Sequence, residues 1–182
     1  MDSTSPPERN PPDQQVFDML RDGNPAAFTA ILARYGNRLL HFTMRYGFDA
    51  AGAEDILQDA LVRAFQQQDS LRHAASLQAW LFSIVRHRCL NELRAARRRP
   101  AMTPITPDLP VRGATETTDT LRALRATVAQ LDEADRELLH LRFYQELAYA
   151  DIAAIYGLTP DAIRQRYHRL LKDLQKHFHA LR

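Results

Sequence analysis

The sequence lacks most features of extracellular, membrane-spanning and metal-dependent proteins. Its single cysteine, Cys89, excludes an internal disulfide bond and is typical of a reducing compartment. No apolar run reaches the length of a membrane span or of a signal-peptide core, so we expect a cytoplasmic location without membrane insertion. The seven histidines form no HExxH motif and no paired Cys/His set, and there is no glycine-rich phosphate loop. We therefore expect no cofactor, no metal and no enzymatic activity.

Glycine is also scarce, with six residues in 182, and no segment alternates apolar and polar residues as a half-buried strand would. Apolar residues recur instead at helical spacing, which predicts an all-α fold. The net charge of +2 conceals segregation of charge. Residues 86–99 carry six arginines against one acid, and residues 159–182 carry six Lys or Arg against two acids. Two such basic segments indicate contacts with a polyanion.

Proline-rich segments divide the chain. Residues 1–12 are polar with four prolines, and we predict a disordered tail. Residues 13–99 show helical periodicity, with breaks at 23–25 and 47–52 and a helix from about Ala53 to Gln67. Residues 100–118 are rich in proline and threonine and predict a linker. Residues 119–182 form a second helical region, so the predicted architecture is two small helical domains joined by a flexible linker.

The C-terminal domain contains a helix-turn-helix signature. Gly157 suits the left-handed residue that closes a helix, and Thr159 and Pro160 suit the start of the next one. Arginine and glutamine on that second helix can bond guanine and adenine edges bidentately. The polar face comprises Asp161, Arg164, Gln165, His168, Arg169 and Lys172. The pattern predicts binding to duplex DNA; the alternative is a solvated basic helix in an ordinary bundle.

A second basic helix is predicted from about Leu77 to Arg98. One stripe along it contains Ser83, His87, Leu90, Arg94 and Arg97, with Trp80 at its edge and Arg98 extending it. Cations beside an aromatic ring can hold a phosphate backbone while bases stack. The helix is thus a candidate for binding an unpaired strand, with a core position as the alternative for Trp80.

The helix before it has an apolar stripe and an opposite face that is largely acidic. That second face contains Asp55, Gln58, Asp59 and Val62 at positions i, i+3, i+4 and i+7. An exposed valine among acidic side chains suggests a protein-docking surface. The alternative is a solvated face with no partner.

In this order, the segments resemble the bacterial RNA polymerase sigma factors of the extracytoplasmic-function type. The resemblance covers residues 14–175 and rests on NPAAF at 24–28, AEDILQD at 53–59, WLFSI at 80–84 and the helix-turn-helix. Each motif alone is of moderate specificity, but their order and separations are characteristic of the family.

The resemblance implies two sigma regions, a function in promoter-specific transcription initiation, and two partners, core RNA polymerase and promoter DNA. Region two, residues 13–99, would bind the polymerase through Asp55, Gln58, Asp59 and Val62. It would also open and capture the minus-ten element through Ser70, Arg72, His73, Trp80, Arg86, His87, Asn91, Arg94, Arg97 and Arg98. Region four, residues 119–182, would read the minus-thirty-five element through Arg164, Gln165, Arg166, His168, Arg169 and Lys172, with Arg166 on a phosphate. An anti-sigma partner is left open.

The sequence departs from the family pattern at three places. His87 replaces a common asparagine and Ser83 a common basic residue, which bears on the contacts with the unpaired strand. Glu146–Ala148 replaces a common Gly-Leu-Ser, so the usual serine cap of the next helix is missing at a cost of about 1 kcal/mol. A free-standing helix-turn-helix repressor or activator is the alternative function; the arginine-rich helix far from the helix-turn-helix argues against it.

Overall fold

The computed structural model describes residues 12–98 and 126–180, which belong to two compact units. The predicted tail lies outside the described residues except for Pro12, and the predicted linker lies wholly outside them. Within the described ranges every regular element is helical and no strand is present. The all-α fold class predicted from periodicity is therefore confirmed.

The first unit contains four helices, α1 (Asp13–Arg21), α2 (Ala26–Met44), α3 (Ala50–Gln66) and α4 (Leu77–Arg98). Two 3₁₀ turns, Gln68–Ser70 and Ala74–Ser76, join α3 to α4. The predicted start of α3 at Ala53 is wrong by three residues. Asp49 caps the helix by accepting a hydrogen bond from the Gly52 amide at 2.8 Å, so Gly52 lies within the first turn instead of ending a loop.

The centre of this unit is an aromatic cluster between α2 and α4. The Phe42 ring lies edge-on to Phe82, with ring centroids 5.1 Å apart, and to Tyr46 at 5.5 Å. Both phenylalanines are fully buried, and burial of each stabilises the fold by roughly 1.5–3 kcal/mol. The cluster holds α4 against α2 and leaves the opposite side of α4 exposed to solvent.

Helix α1 is joined to α2 by a polar contact. The Asp13 carboxylate accepts hydrogen bonds from the Tyr35 hydroxyl and from Arg34 Nε, the latter at 2.6 Å. Burial, followed by the hydrogen bond to Asp13, raises the pKa of Tyr35 to about 12. The hydroxyl is therefore a donor to Asp13 throughout the physiological pH range, and this contact adds to the burial of Val16, Phe17 and Leu20 in holding α1.

The second unit contains α5 (Glu133–Leu139), a π-helical turn (His140–Tyr144), α6 (Tyr149–Tyr156) and α7 (Pro160–Ala180). The Asp132 side chain caps α5, accepting from the Asp135 amide at 2.7 Å. Thr159 caps α7, accepting from the Ala162 amide at 3.2 Å. Gly157 is left-handed at φ +67°, as its position between α6 and α7 predicts. The helix-turn-helix is thus present.

Glu146 has φ +54°, the left-handed region that L side chains disfavour. Ala148 follows as the N-terminal boundary of α6 without a side-chain cap. The turn before α6 therefore combines a strained residue with a missing cap, and both trace to the replacement of Gly-Leu-Ser by Glu-Leu-Ala.

We expect Glu146→Gly to stabilise the turn, because glycine removes the left-handed penalty of about 1–2 kcal/mol. The greater entropy that glycine loses on folding offsets only part of this gain. Native-state hydrogen exchange of the full chain should show roughly five-fold greater protection of the α6 amides. The matched control is Gly157→Ala. No atom lies within 4 Å of the added Cβ, so backbone conformation alone should lower protection there. Equal or lower protection in Glu146→Gly would show that the turn is unstrained.

Candidate nucleic-acid interface

The predicted polar face of α3 lies on the surface. Asp55, Gln58, Asp59 and Val62 are all exposed, with Val62 at 53%. The opposite stripe, including Leu57 and Leu61, is buried. Periodicity therefore placed the polar side chains correctly.

An open groove between α2 and α3 adjoins this face, with a volume of about 590 Å³. Its lining includes Gln58 and Val62 from the face and Leu32 from α2, which is 39% exposed. The face thus offers an apolar surface beside its carboxylates.

Sequence reasoning missed Arg88, which connects α4 to the polar face of α3. Its guanidinium binds Asp59 at 2.8 Å and Glu92 at 3.1 Å, and its own side chain is only 19% exposed. The hydrogen bond to Asp59 raises the pKa of Arg88. Asp59 therefore lies on the polar face of α3 and also forms an ion pair with the next helix. The four-residue spacing of Arg88 and Glu92 could have indicated their ion pair from the sequence, whereas no local pattern indicates the pair with Asp59.

The connection between α3 and α4 is held by Trp80. Its indole N–H donates to Ser70 Oγ at 2.9 Å, and that hydroxyl donates to the Gln67 carbonyl at 2.7 Å. Leu71 is buried and anchors the same segment, whereas Arg72 and His73 are exposed. Trp80 is half-buried, so it supports the connection while keeping part of its ring accessible.

The outer side of α4 presents the predicted polar stripe. His87, Asn91, Arg94 and Arg98 are exposed, and Arg86 is half-buried. Arg94 donates to the Asn91 side chain at 3.2 Å, so these two side chains act from one patch. Ser83 is half-buried and donates to the Trp80 carbonyl at 2.8 Å. The side chain of Arg97 lies outside the described residues.

Helix α7 exposes its polar face. The exposed side chains are Arg164, Gln165, His168, Arg169 and Lys172. Arg166 differs, since it binds Asp135 on α5 at 2.6 Å and approaches Asp132 at 3.6 Å. Its side chain is 31% exposed. Arg166 thus joins α7 to α5, and only its outer edge is accessible to a phosphate.

A helix-turn-helix with an exposed basic face in one unit and a second basic stripe in the other unit are the features of a two-domain DNA-binding protein. Comparison with known families makes this specific. The Sigma-70 region 2 profile matches residues 31–99, and the Sigma-70, region 4 profile matches residues 128–176. The two matches contain the α3 and α4 faces and the α7 face, respectively.

Relatives that match over most of their length agree. The chain is 30% identical to the ECF RNA polymerase sigma factor SigL of Mycobacterium tuberculosis, covering 82% of this chain and 88% of that protein. It is 26% identical to RNA polymerase sigma-H factor of Pseudomonas aeruginosa, covering 90% and 92%. The chain belongs to the extracytoplasmic-function sigma factors of RNA polymerase, and it is a promoter-directing transcription initiation factor.

Solved structures show the same fold. CnrH, in complex with the cytosolic domain of CnrY, matches with a TM-score of 0.65 and 24% identity, covering 93% of this chain and 99% of that chain. RpoE of Bartonella quintana, in complex with the anti-sigma factor NepR, matches with a TM-score of 0.62 and 25% identity, covering 85% and 98%.

Two further observations concern residues 12–98 and 126–180 alone. None of their helices combines the length and the apolar character needed to cross a membrane. Within the same ranges, no three His, Cys, Asp or Glu side chains are grouped as ligands for a metal ion.

Proposed function

We propose that each exposed face has one partner. The α3 face, with Asp55, Gln58, Asp59 and Val62, binds core RNA polymerase. The α4 stripe and the connection before it hold the opened minus-ten strand, and the α7 face reads the minus-thirty-five duplex. The observation that carries this proposal is the exposure of two basic faces on separate units, with a carboxylate face on one of them.

The docking surface combines charge with apolar area. Carboxylates on α3 would pair with cations on the polymerase, and the groove beside Val62 would accept apolar side chains. Charge complementarity then orients the encounter, while burial of the groove slows dissociation.

Promoter opening needs no chemistry from this chain. Unstacking a base costs a few kcal/mol, and stacking it on protein returns about 1–3 kcal/mol per base. The half-exposed Trp80 ring offers such stacking, and the exposed Asn91–Arg94 pair offers hydrogen bonds and a cation to the strand. We propose that the protein is not an enzyme and that binding energy alone captures the opened strand.

The two DNA contacts are proposed to act together once the polymerase holds the protein. Each basic face is small, so either alone binds promoter DNA weakly. When both contacts are tethered to one DNA, binding of the first raises the effective concentration of the second. The overall affinity can then exceed that of either contact by orders of magnitude. Promoter selection therefore depends on the assembled complex.

We also propose a cytoplasmic location and an anti-sigma partner. The RpoE structure that matches this fold contains an anti-sigma factor. A protein that covers the α3 face would compete with the polymerase for this chain and keep it inactive.

Transcription with purified core polymerase tests the proposal. With a genomic library of supercoiled templates, promoter-directed transcripts should require both core and this protein. Permanganate should then detect unpaired minus-ten thymines before any nucleotide is added, since opening uses no hydrolysis. Tight binding of a dimer of this chain to palindromic DNA without polymerase, and no transcript with it, would instead support the free-standing regulator.

A further inference from the structure

Tyr149 lies at the centre of a cluster of cations and aromatic rings in the second unit. It is the first residue of α6 and is half-buried. Its ring has the Arg142 guanidinium carbon 4.9 Å from its centroid and that of Arg164 at 5.7 Å. Both distances fall within the range of a cation–π contact. Tyr149 therefore contacts one arginine before the helix-turn-helix and one on the face proposed to read DNA.

The ring itself is held in place. Tyr167 of α7 packs against it at 6.0 Å with an interplanar angle of 61°. Arg142, which is part-buried, donates to the Leu147 carbonyl at 3.1 Å, in the turn that leads into α6. The Tyr149 ring is thus fixed by contacts with α7 and with the π-helical turn, and does not depend on Arg164 for its position.

Arg164 is restrained from two sides while remaining available. Its guanidinium binds Asp161 on the preceding turn of α7 at 2.9 Å, and its side chain is 53% exposed. The Tyr149 ring supplies the second restraint, from a different helix. An arginine whose rotamer is already restricted loses less conformational entropy when it forms a fork of hydrogen bonds. Its direction is also set before DNA arrives.

We infer that Tyr149 is a positioning residue for promoter discrimination: its ring holds the Arg164 guanidinium in the direction from which it reads the minus-thirty-five element. This inference rests on the proposed function, in which Arg164 reads a base. The aromatic face is the active feature, and the hydroxyl is dispensable. Asp161 sets the same direction from within α7.

Selection from a promoter library tests the inference in the complete holoenzyme. The full-length chain is assembled with core polymerase and offered templates randomised across the minus-thirty-five element. The variants are Arg164→Ala, which defines the base pair that Arg164 reads, Tyr149→Phe, which keeps the ring, and Tyr149→Leu and Tyr149→Met, which remove it. Circular dichroism of each variant checks that it folds.

Arg164→Ala should flatten the preference at one base pair or two adjacent ones. Tyr149→Leu and Tyr149→Met should lower preference at those same positions by roughly two- to five-fold, the effect of one exposed cation–π contact. Preferences elsewhere in the element should be unchanged, and Tyr149→Phe should match the wild type throughout. A merely structural ring would lower all preferences together.

Each other outcome overturns a specific claim. If Arg164→Ala leaves every preference intact, the proposed base contact of Arg164 fails, and the inference fails with it. If Arg164→Ala flattens one position and the folded aliphatic variants do not, Tyr149 has no positioning function although Arg164 still reads DNA. If both aliphatic variants unfold, or if Tyr149→Phe behaves as they do, the ring's cation contact is not what Tyr149 contributes.

Discussion

Reversing the charge at both Asp55 and Asp59 to lysine is expected to weaken binding of the full-length chain to core RNA polymerase by about 30-fold or more. Truncating or opposing buried interfacial charges commonly costs about 2–5 kcal/mol. Both carboxylates lie on the exposed face of α3, one turn apart. The measurement is the equilibrium dissociation constant of labelled protein with core enzyme at fixed ionic strength.

The structure makes one control essential, because Asp59 also pairs with Arg88 inside the unit. A swapped variant, Asp59→Arg with Arg88→Asp, restores an ion pair between α3 and α4 while keeping the reversed charge on the surface. It should fold and still bind polymerase poorly. Recovery of affinity in the swap would mean that Asp59 acts only through Arg88. Asp18→Lys, which reverses one charge at an exposed position of α1, should leave affinity unchanged.

Removing the Asn91 and Arg94 side chains together, as Asn91→Ala with Arg94→Ala, should weaken holoenzyme binding to a single-stranded minus-ten oligonucleotide by about 1.5–3 kcal/mol, the usual contribution of hydrogen bonds to a charged group. These side chains form one exposed patch on α4 through their mutual hydrogen bond. Because Arg94 is proposed to contact the strand as a cation, the salt dependence of binding should also fall, by about one unit of slope. Fluorescence anisotropy across a salt series measures both quantities.

Lys176→Ala serves as the control for this second experiment. It removes an exposed cation from α7, in the other unit, and should leave binding of the unpaired strand unchanged. Core binding by the double variant should also be normal, since α3 is untouched. Unaltered oligonucleotide affinity in the double variant would remove α4 from the minus-ten contact.

Features set by neighbouring residues were predictable from the sequence. The cap at Thr159 and the left-handed conformation of Gly157 are each determined within one turn of backbone, and both are present. The exposed faces of α3, α4 and α7 follow from helical periodicity, since only one side of each helix can be buried. The range of α4 agrees with its prediction for the same reason.

Features that join distant residues were not predictable. Arg88 and Asp59 are 29 residues apart, and Arg166 and Asp135 are 31 apart. The family resemblance assigned Arg166 a phosphate contact, but no local pattern indicates that α5 supplies carboxylates beside it. The π-helical turn at His140–Tyr144 was not predicted either, because apolar periodicity over five residues does not distinguish it from an α-helical turn.

The chain contains a single tryptophan, and the structure places its indole at the connection that precedes α4, hydrogen-bonded to Ser70. Indole emission depends on exposure of the ring and on the partner of its N–H. Tryptophan emission of the free protein, excited where the tyrosines absorb little, therefore arises from one position beside the proposed strand-capture segment. A shift in that emission on adding a short oligonucleotide would follow rearrangement of the segment in real time, without any attached dye.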